Sequence, residues 1–221
     1  FNVVEINTTY YGIPKPSVFE GMASWVPPDF GFYVKVHQEV THKRENPEVS
    51  ARELFQAVDP LKNRGMLRGY LAQFPYSFKK ILPSRDYLAR LADLWVGREP
   101  LFLEFRHTGW YKPDVFAFLK AHNLGFVNVD LPQLPKLPGP SAEVTNEIGY
   151  FRFHGRNAAA WWGQEGPLRY DYMYTEAELK AWAPRINEVA GKAKGTIIFM
   201  NNCHLGQAAR NARMLMDMFI G

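Results

Sequence analysis

Cysteine is almost absent from this chain, since Cys203 is the single one among 221 residues. One cysteine cannot close a disulfide within the chain, which excludes the disulfide-stapled secreted domains and predicts a reducing, cytoplasmic setting. Long apolar runs are also lacking, because no stretch approaches the roughly 20 residues that a membrane-spanning helix requires. No signal-peptide pattern opens the sequence. We therefore predict no association with a membrane.

The short motifs of several common enzyme classes are missing as well. The sequence contains no Gly-x-Ser-x-Gly elbow, no Walker phosphate loop, no Gly-rich dinucleotide fingerprint and no Cys-x-x-Cys pair. It therefore identifies no cofactor. The formal net charge of +4 permits binding to phosphates or nucleic acid without requiring either.

What the sequence does contain is a regular alternation of strand and helix patterns. Seven runs rich in β-branched and aromatic residues lie at residues 3–7, 32–37, 69–74, 101–107, 126–130, 150–154 and 196–202. Helical patterns follow Asn46, Ser84, Lys112 and Thr175, and a last helix spans about 207–219. Thr175 and Glu178 have the spacing of a capping box. Residues 131–147 carry four prolines and predict a long ordered loop.

The side-chain alternation within these runs distinguishes a closed barrel from an open sheet. A parallel sheet covered by helices on both faces has nearly continuous apolar strands. Six of the seven runs instead alternate, as where Leu101 and Leu103 oppose Glu104 and Arg106. We therefore predict a single α/β domain over residues 1–221, a TIM-type barrel of parallel strands with polar side chains inside. In the last run either Asn201 or Asn202 could point inward.

Several segments match one known family in order along the chain. They are FNVVEINTTYY at 1–11, residues 35–42, QFP at 73–75, FLEFRHTGW at 102–110, YFRFHGRN at 150–157, YDY at 170–172, and NN at 201–202 with GQAARNA at 206–212. With these segments the sequence resembles the YecE-like proteins, the family of the domain of unknown function seventy-two. The resemblance implies an eight-stranded barrel, related in architecture to the xylose-isomerase and endonuclease-IV barrels, but no particular activity. The resemblance also implies a further Gly-Ser-rich strand before residues 3–7, so we expect the first of the usual eight strands to be the one not represented among the seven visible here.

Barrel enzymes place their chemistry at the carboxyl ends of the strands, which selects two layers of polar residues. The inner layer holds Glu5, Lys35, Glu104 and Arg152, and is either a structural ion-pair cluster or the support of a proton-transfer carboxylate. The outer layer holds Asn7, His37, Arg106, Asp130 and His154. Its positive groups predict an anionic ligand bearing phosphate or carboxylate, because the planar fork of arginine suits both.

The predicted site has two sets of residues. The proton-transfer set is Glu104, Asp130 and His154. The ligand-binding set is Asn7, Tyr10, Lys35, His37, Gln73, Arg106, Trp110, Arg152, Arg156, Asn201 and Asn202. Residues 156–172, rich in glycine and aromatics, have the composition of a lid. His42 and His204 are interpreted as surface groups.

Three functions remain open from the sequence. The first is binding of an anionic small molecule, as by a hydrolase or isomerase. The second is a non-catalytic module that binds nucleic acid or a partner through its basic surface. The third, on fold analogy alone, is a metal-dependent nuclease of the endonuclease-IV kind. Glu5, Glu104, Asp130 and His154 resemble a metal-ligand set, but Lys35, Arg106 and Arg152 would repel a cation, so we predict no metal. Substrate, cofactor and oligomeric state are not determined.

Overall fold

The computed structural model describes residues 1–162 and 166–220. They form two compact units, Phe1–Arg106 and His107–Gly221. Residues 163–165, which include Gly163 of the predicted lid, lie outside the described residues. The single domain over 1–221 stays a prediction. Within the described ranges, no helix has the length and apolar character needed to cross a membrane.

Unit 1 contains four parallel strands that pair in chain order. They are β1 (Val3–Ile6), β2 (Gly31–Lys35), β3 (Leu67–Gln73) and β4 (Leu101–Glu104). The helices are α1 (Pro16–Ser24), α2 (Pro47–Ala57), α3 (Asp59–Asn63) and α4 (Leu82–Leu94). Helix α2 begins at proline, as the Asn46-Pro47 pair predicts, because a first-turn residue needs no N–H partner. The sequence patterns did not reveal α1 or the π-helix Glu39–Lys43 after β2.

The strand register of unit 1 confirms the predicted faces of its four strands. Residues paired across neighbouring strands point to the same side of a sheet. Gln73 pairs with Glu104, and Lys35 pairs with Leu71 two residues before Gln73, which puts these polar side chains on one face. Glu5 joins them through Tyr33. The other face carries the buried residues Ile6, Val34, Tyr70, Ala72 and Leu103.

Unit 2 contains three parallel strands, β5 (Gly125–Asp130), β6 (Ile148–Phe153) and β7 (Gly195–Met200). Its helices are α5 (Pro113–Ala121), α6 (Glu176–Lys180), α7 (Ala183–Ala190) and α8 (Gln207–Ile220). The predicted loop at 131–147 is confirmed, and so is the capping box of Thr175 and Glu178. The helix predicted after Thr175 is divided into α6 and α7, because Pro184 lies in the first turn of α7 and lacks the N–H of a continuous helix.

In unit 2 the register contradicts the predicted face of β5. Phe151 and Phe153 point toward the helices, where they share a core cluster with Trp182. Asn128 pairs with Phe151 and Asp130 pairs with Phe153, so both polar residues point to this helix-facing side as well. The prediction that they lie on the opposite face with the other polar residues is wrong. Their polarity is matched by local partners instead, since Asn128 binds the 131–147 loop through Ser141 and Glu143.

The same register resolves the ambiguity in β7. Ile198 pairs with Phe151, and Met200 pairs with Phe153, which puts both on the helix-facing side. By alternation Asn202 follows them and Asn201 points to the opposite face. The two adjacent asparagines therefore have different surroundings.

Candidate functional site

The strand-end cluster of unit 1 is built around Lys35 at the last position of β2. The Lys35 ammonium donates a hydrogen bond to Gln73 Oε1 at 2.9 Å, and it lies 4.7 Å from the centre of the Tyr10 ring. Thr9 Oγ1 donates to the backbone oxygen of Lys35 at 2.5 Å, which ties the 3₁₀ turn Thr8–Tyr10 to the end of β2. Three chain segments thus fix the position of one positive charge.

Two carboxylates share the polar face of unit 1. Glu104 is fully buried, and its Oε1 lies 2.5 Å from Nε of Arg106, whose side chain is 7% exposed. A buried ion pair of this kind offsets much of the desolvation of each charge. Asn7 Nδ2 donates to Glu5 Oε1 at 2.9 Å. The predicted residues Lys35, Gln73 and Glu104 therefore lie on one face of the sheet together with Glu5. Each of the charged side chains on this face has a polar contact.

His42 belongs to this cluster, although the sequence interpretation placed it at the surface. Its ring is half-buried and makes an edge contact with Tyr10 at 5.0 Å between centres, while its Nδ1 lies 2.9 Å from Thr41 Oγ1. Burial, together with the positive charges of Lys35, Arg44 and Arg106, lowers the pKa of His42 to about 4. The imidazole is therefore neutral near pH 7. A lone histidine gave no periodic signal, because its partners come from three other segments.

His42 lies in the π-helix Glu39–Lys43, the element that follows β2. π-Helical turns are rare and often occur at functional sites. Arg44 ends the turn with a left-handed backbone at φ 60°, a strained conformation for a residue with a Cβ. Its guanidinium donates to the Thr41 backbone oxygen at 2.8 Å. The strained turn thus keeps a cation next to the His42 ring.

The neutral state of His42 predicts a pH-dependent stability. The unfolded chain binds a proton at this histidine below about pH 6.5, whereas the folded chain does so only near pH 4. The neutral His42 therefore contributes to the free energy of unfolding. This contribution is fully present above about pH 6.5 and is lost as the pH falls toward 4. We expect His42→Asn to flatten this rise. Urea unfolding of both proteins at several pH values measures the difference, and equal slopes would contradict the assignment.

In unit 2 three polar residues meet on the face opposite the helices. Arg152 on β6 and His154 just beyond it are both buried, at 1% and 0% exposed. Asn201, just beyond β7, lies between them. Its Oδ1 accepts from Arg152 Nη2 at 3.3 Å, and its Nδ2 lies 3.0 Å from His154 Nδ1. These three predicted site residues of unit 2 therefore lie together on the face opposite the helices.

Asp130 instead forms an anchor on the helix-facing side of unit 2. Arg156 donates to its two oxygens at 2.8 and 2.6 Å, Tyr174 Oη donates at 2.9 Å, and Trp182 Nε1 donates at 2.5 Å. Four donors use the roughly four lone-pair positions of a carboxylate. Hydrogen bonding to Asp130 raises the pKa of Arg156, and burial with the Asp130 charge raises that of Tyr174 well above its ordinary value. These bonds support a structural role for Asp130 and Arg156.

Glu178 extends the anchor to the start of α6. Its Oε1 accepts from Arg156 at 3.2 Å and from the Tyr172 hydroxyl at 2.5 Å. Burial alone would raise the Glu178 pKa, but hydrogen bonds from Tyr172 and Thr175 with the Arg156 charge outweigh it and lower the pKa. Burial and the bond to Glu178 raise the pKa of Tyr172 to about 12. Tyr172 therefore remains a neutral donor.

The predicted ligand residue Asn202 belongs to a ladder of neutral amides. Asn202 Nδ2 donates to the Tyr172 backbone oxygen and to Asn211 Oδ1, both at 2.8 Å. Asn211 exchanges two hydrogen bonds with the Tyr174 backbone, at 2.9 and 3.0 Å. Gln207 Oε1 accepts from the Tyr172 backbone N–H at 2.9 Å. The GQAARNA motif thus fastens residues 172–174 to α8, which places Asn202 away from Asn201.

His37 and Trp110, the remaining predicted ligand residues, lie in the segments that follow β2 and β4. His37 lies two residues beyond β2, and its Nδ1 accepts from the Glu39 backbone N–H at 3.4 Å. Trp110 is 1% exposed at the end of the 3₁₀ turn Thr108–Trp110. Among the described residues, no three His, Cys, Asp or Glu side chains gather as a metal site would require.

Comparison with known proteins gives consistent matches along the chain. Residues 1–220 match the family model described as protein of unknown function DUF72. The UPF0759 protein YunF of Bacillus subtilis (strain 168) is 31% identical over 235 residues, which cover 99% of this chain and 83% of YunF.

Two solved structures match as well. The crystal structure of a DUF72 family protein from Thermotoga maritima MSB8 is 38% identical, with a TM-score of 0.91, over 100% of this chain and 85% of that one. A DUF72 family protein from Enterococcus faecalis V583 is 28% identical, with a TM-score of 0.90 over the same shares. The predicted fold class, a TIM-type α/β barrel with seven parallel strands, is confirmed by these matches. With the family model spanning nearly every residue, the chain belongs to the DUF72 family.

Proposed function

We propose that the protein binds an anionic small molecule, bearing phosphate or carboxylate, at the carboxyl ends of β1 to β4. The observation that carries this proposal is the fixed Lys35 ammonium, held by Gln73 and by the Tyr10 ring. An ammonium that is already positioned loses little conformational entropy when an anion arrives. Strand ends are also where barrel proteins bind their ligands.

The electrostatics of the cluster support an anion over a cation. Burial is the main reason that the pKa of His42 is lowered, and the charges of Lys35, Arg44 and Arg106 lower it further, which indicates a positive potential at that ring. Glu104 balances Arg106 through their 2.5 Å contact. A bound anion would be stabilised by the same three positive charges that add to the effect of burial on His42.

For the reaction class we propose proton transfer, as in hydrolysis or isomerisation. Glu104, one of the two carboxylates of this cluster, is the proposed proton-transfer group. The neutral His42, whose pKa is lowered to about 4, would hydrogen-bond the ligand near pH 7 without taking up a proton. Asp130 is left out of this role because four donors already surround it.

Lys35→Met tests the proposal. Inorganic phosphate and malonate are titrated separately into the protein at pH 7 and followed by calorimetry. We expect at least one anion to bind, and its affinity to fall about tenfold or more in Lys35→Met, since hydrogen bonds to charged groups contribute about 1.5–3 kcal/mol.

Lys192→Met is the matched control, because Lys192 pairs with Glu188 on the surface and is 54% exposed. It should bind like the unmodified protein. The proposal fails if neither anion binds or if the two variants have equal affinity. Binding of a short oligonucleotide that weakens steeply with added salt would favour the nucleic-acid module instead.

A further inference from the structure

Asn201 contacts both Arg152 and His154, and this double contact indicates which ring nitrogen of His154 carries the hydrogen. Arginine has only N–H donors, so the Asn201 oxygen must face Arg152. The Asn201 amide then presents its NH₂ group to His154 Nδ1 at 3.0 Å. A donor facing Nδ1 requires a lone pair there, which leaves the ring hydrogen on Nε2.

The reversed amide is unfavourable at this place. It would put NH₂ against the guanidinium, two donors facing each other, with Arg152 1% and His154 0% exposed. Burial makes such a mismatch costly because water cannot compensate it. The strand ends also hold the pair in place, since the backbone N–H of His154 donates to Asp130 O at 3.1 Å and that of Asn201 to Phe153 O at 2.7 Å.

We propose that Asn201 is a positioning residue that holds His154 as a neutral imidazole with its hydrogen on Nε2, so that His154 acts as a hydrogen-bond donor and not as a base. An Nε2–H recognises an oxygen lone pair, such as that of a carbonyl, carboxylate or phosphate group. This inference is independent of the anion site proposed for unit 1. It differs from the proton-transfer role predicted for His154 from the sequence.

Nitrogen NMR tests the proposal. The full chain is labelled with ¹⁵N-histidine at neutral pH, and His154→Gln identifies the His154 signals by their loss. We expect a pyridine-type Nδ1 and a pyrrole-type Nε2 in the unmodified protein. The reverse pattern, or two protonated nitrogens, would overturn the assignment without any further variant.

Asn201→Asp then tests the role of the amide. A carboxylate offers only acceptors, so it should draw a hydrogen onto Nδ1 and shift that signal to the pyrrole-type region. Asn201→Ala removes the donor and should give averaged signals from both tautomers. Far-UV circular dichroism checks that each variant is folded. If Nδ1 remains pyridine-type in both folded variants, Asn201 does not set the tautomer and the proposal fails.

Discussion

Replacing Asp130 with alanine is expected to lower the free energy of unfolding by about 3–5 kcal/mol, the usual cost of removing one partner of a buried ion pair. The Arg156 guanidinium loses two hydrogen bonds to its carboxylate. Tyr174 Oη and Trp182 Nε1 lose their acceptor as well, in a part of the core where Tyr174 is 1% and Trp182 2% exposed. Urea unfolding followed by tryptophan fluorescence and by circular dichroism measures the loss.

Glu188→Ala is the control for this prediction. Glu188 forms an ion pair with Lys192 in which both side chains are more than half exposed. Pairs of that kind contribute about 0.2–1 kcal/mol. If Asp130→Ala costs no more than Glu188→Ala, the Asp130 anchor does not stabilise unit 2 in the way its contacts indicate.

Gly149→Ala is expected to lower the free energy of unfolding by about 1–3 kcal/mol, as overpacking of a close contact does. Gly149 lies on β6, where an added Cβ would come within 2.2 Å of Val189 Cγ1 on α7. Valine is short and has one strongly preferred rotamer in a helix, so it cannot turn away. The helix must shift, or the strand must.

A second substitution identifies Val189 as the cause. Gly149→Ala combined with Val189→Ala should be more stable than the sum of the two single effects, because the second change removes the clashing methyl group. Gly21→Ala on α1 is the control, since its added Cβ meets nothing within 4 Å. That variant should keep or gain stability, by up to about 1 kcal/mol. Additive effects in the double variant would contradict the contact.

The faces of β1 to β4 could be predicted because each strand has one polar residue at or next to its carboxyl end, Glu5, Lys35, Gln73 or Glu104, directly after an apolar one. In β4, Leu101 and Leu103 point to one side while Phe102 and the buried Glu104 point to the other, and the charge of Glu104 distinguishes the two faces. The family match along the chain agrees with the alternation of strand and helix that the sequence also showed. For β1 to β4, the sequence pattern and the strand register therefore assign the polar residues to the same face.

The face of β5 could not be predicted in this way. Valines alternate with Asn128 and Asp130 as they would in a strand with a polar interior face, but Asp130 meets Trp182, which lies 52 residues later in the chain. Periodicity reports alternation and not which side is covered. The identical neighbours Asn201 and Asn202 gave no signal for the same reason, and only the register of β6 and β7 distinguishes them.

His42 was missed because its lowered pKa depends on burial and on positive charges that come from distant parts of the chain. A histidine two residues before Arg44 gives no signal of its own in a sequence. Arg106, another of the charges around it, lies 64 residues further along the chain. The π-helix that presents His42 has no simple hydrophobic period. Charge effects that add up across segments become visible only when the fold brings those segments together.

The amide ladder of Asn202, Asn211 and Gln207 has a consequence for how unit 2 responds to its solution. None of these three side chains carries a charge, so neither acid nor added salt weakens their hydrogen bonds directly, whereas the Arg156–Asp130–Glu178 contacts depend on ionised groups. Residues 172–174 are held by both kinds of bond. Although burial acts to raise it, the pKa of Glu178 is lowered, mainly by the hydrogen bonds from Tyr172 and Thr175, so these bonds are lost only in acid. Once Glu178 is protonated, residues 172–174 should therefore stay joined to α8 through the amide ladder.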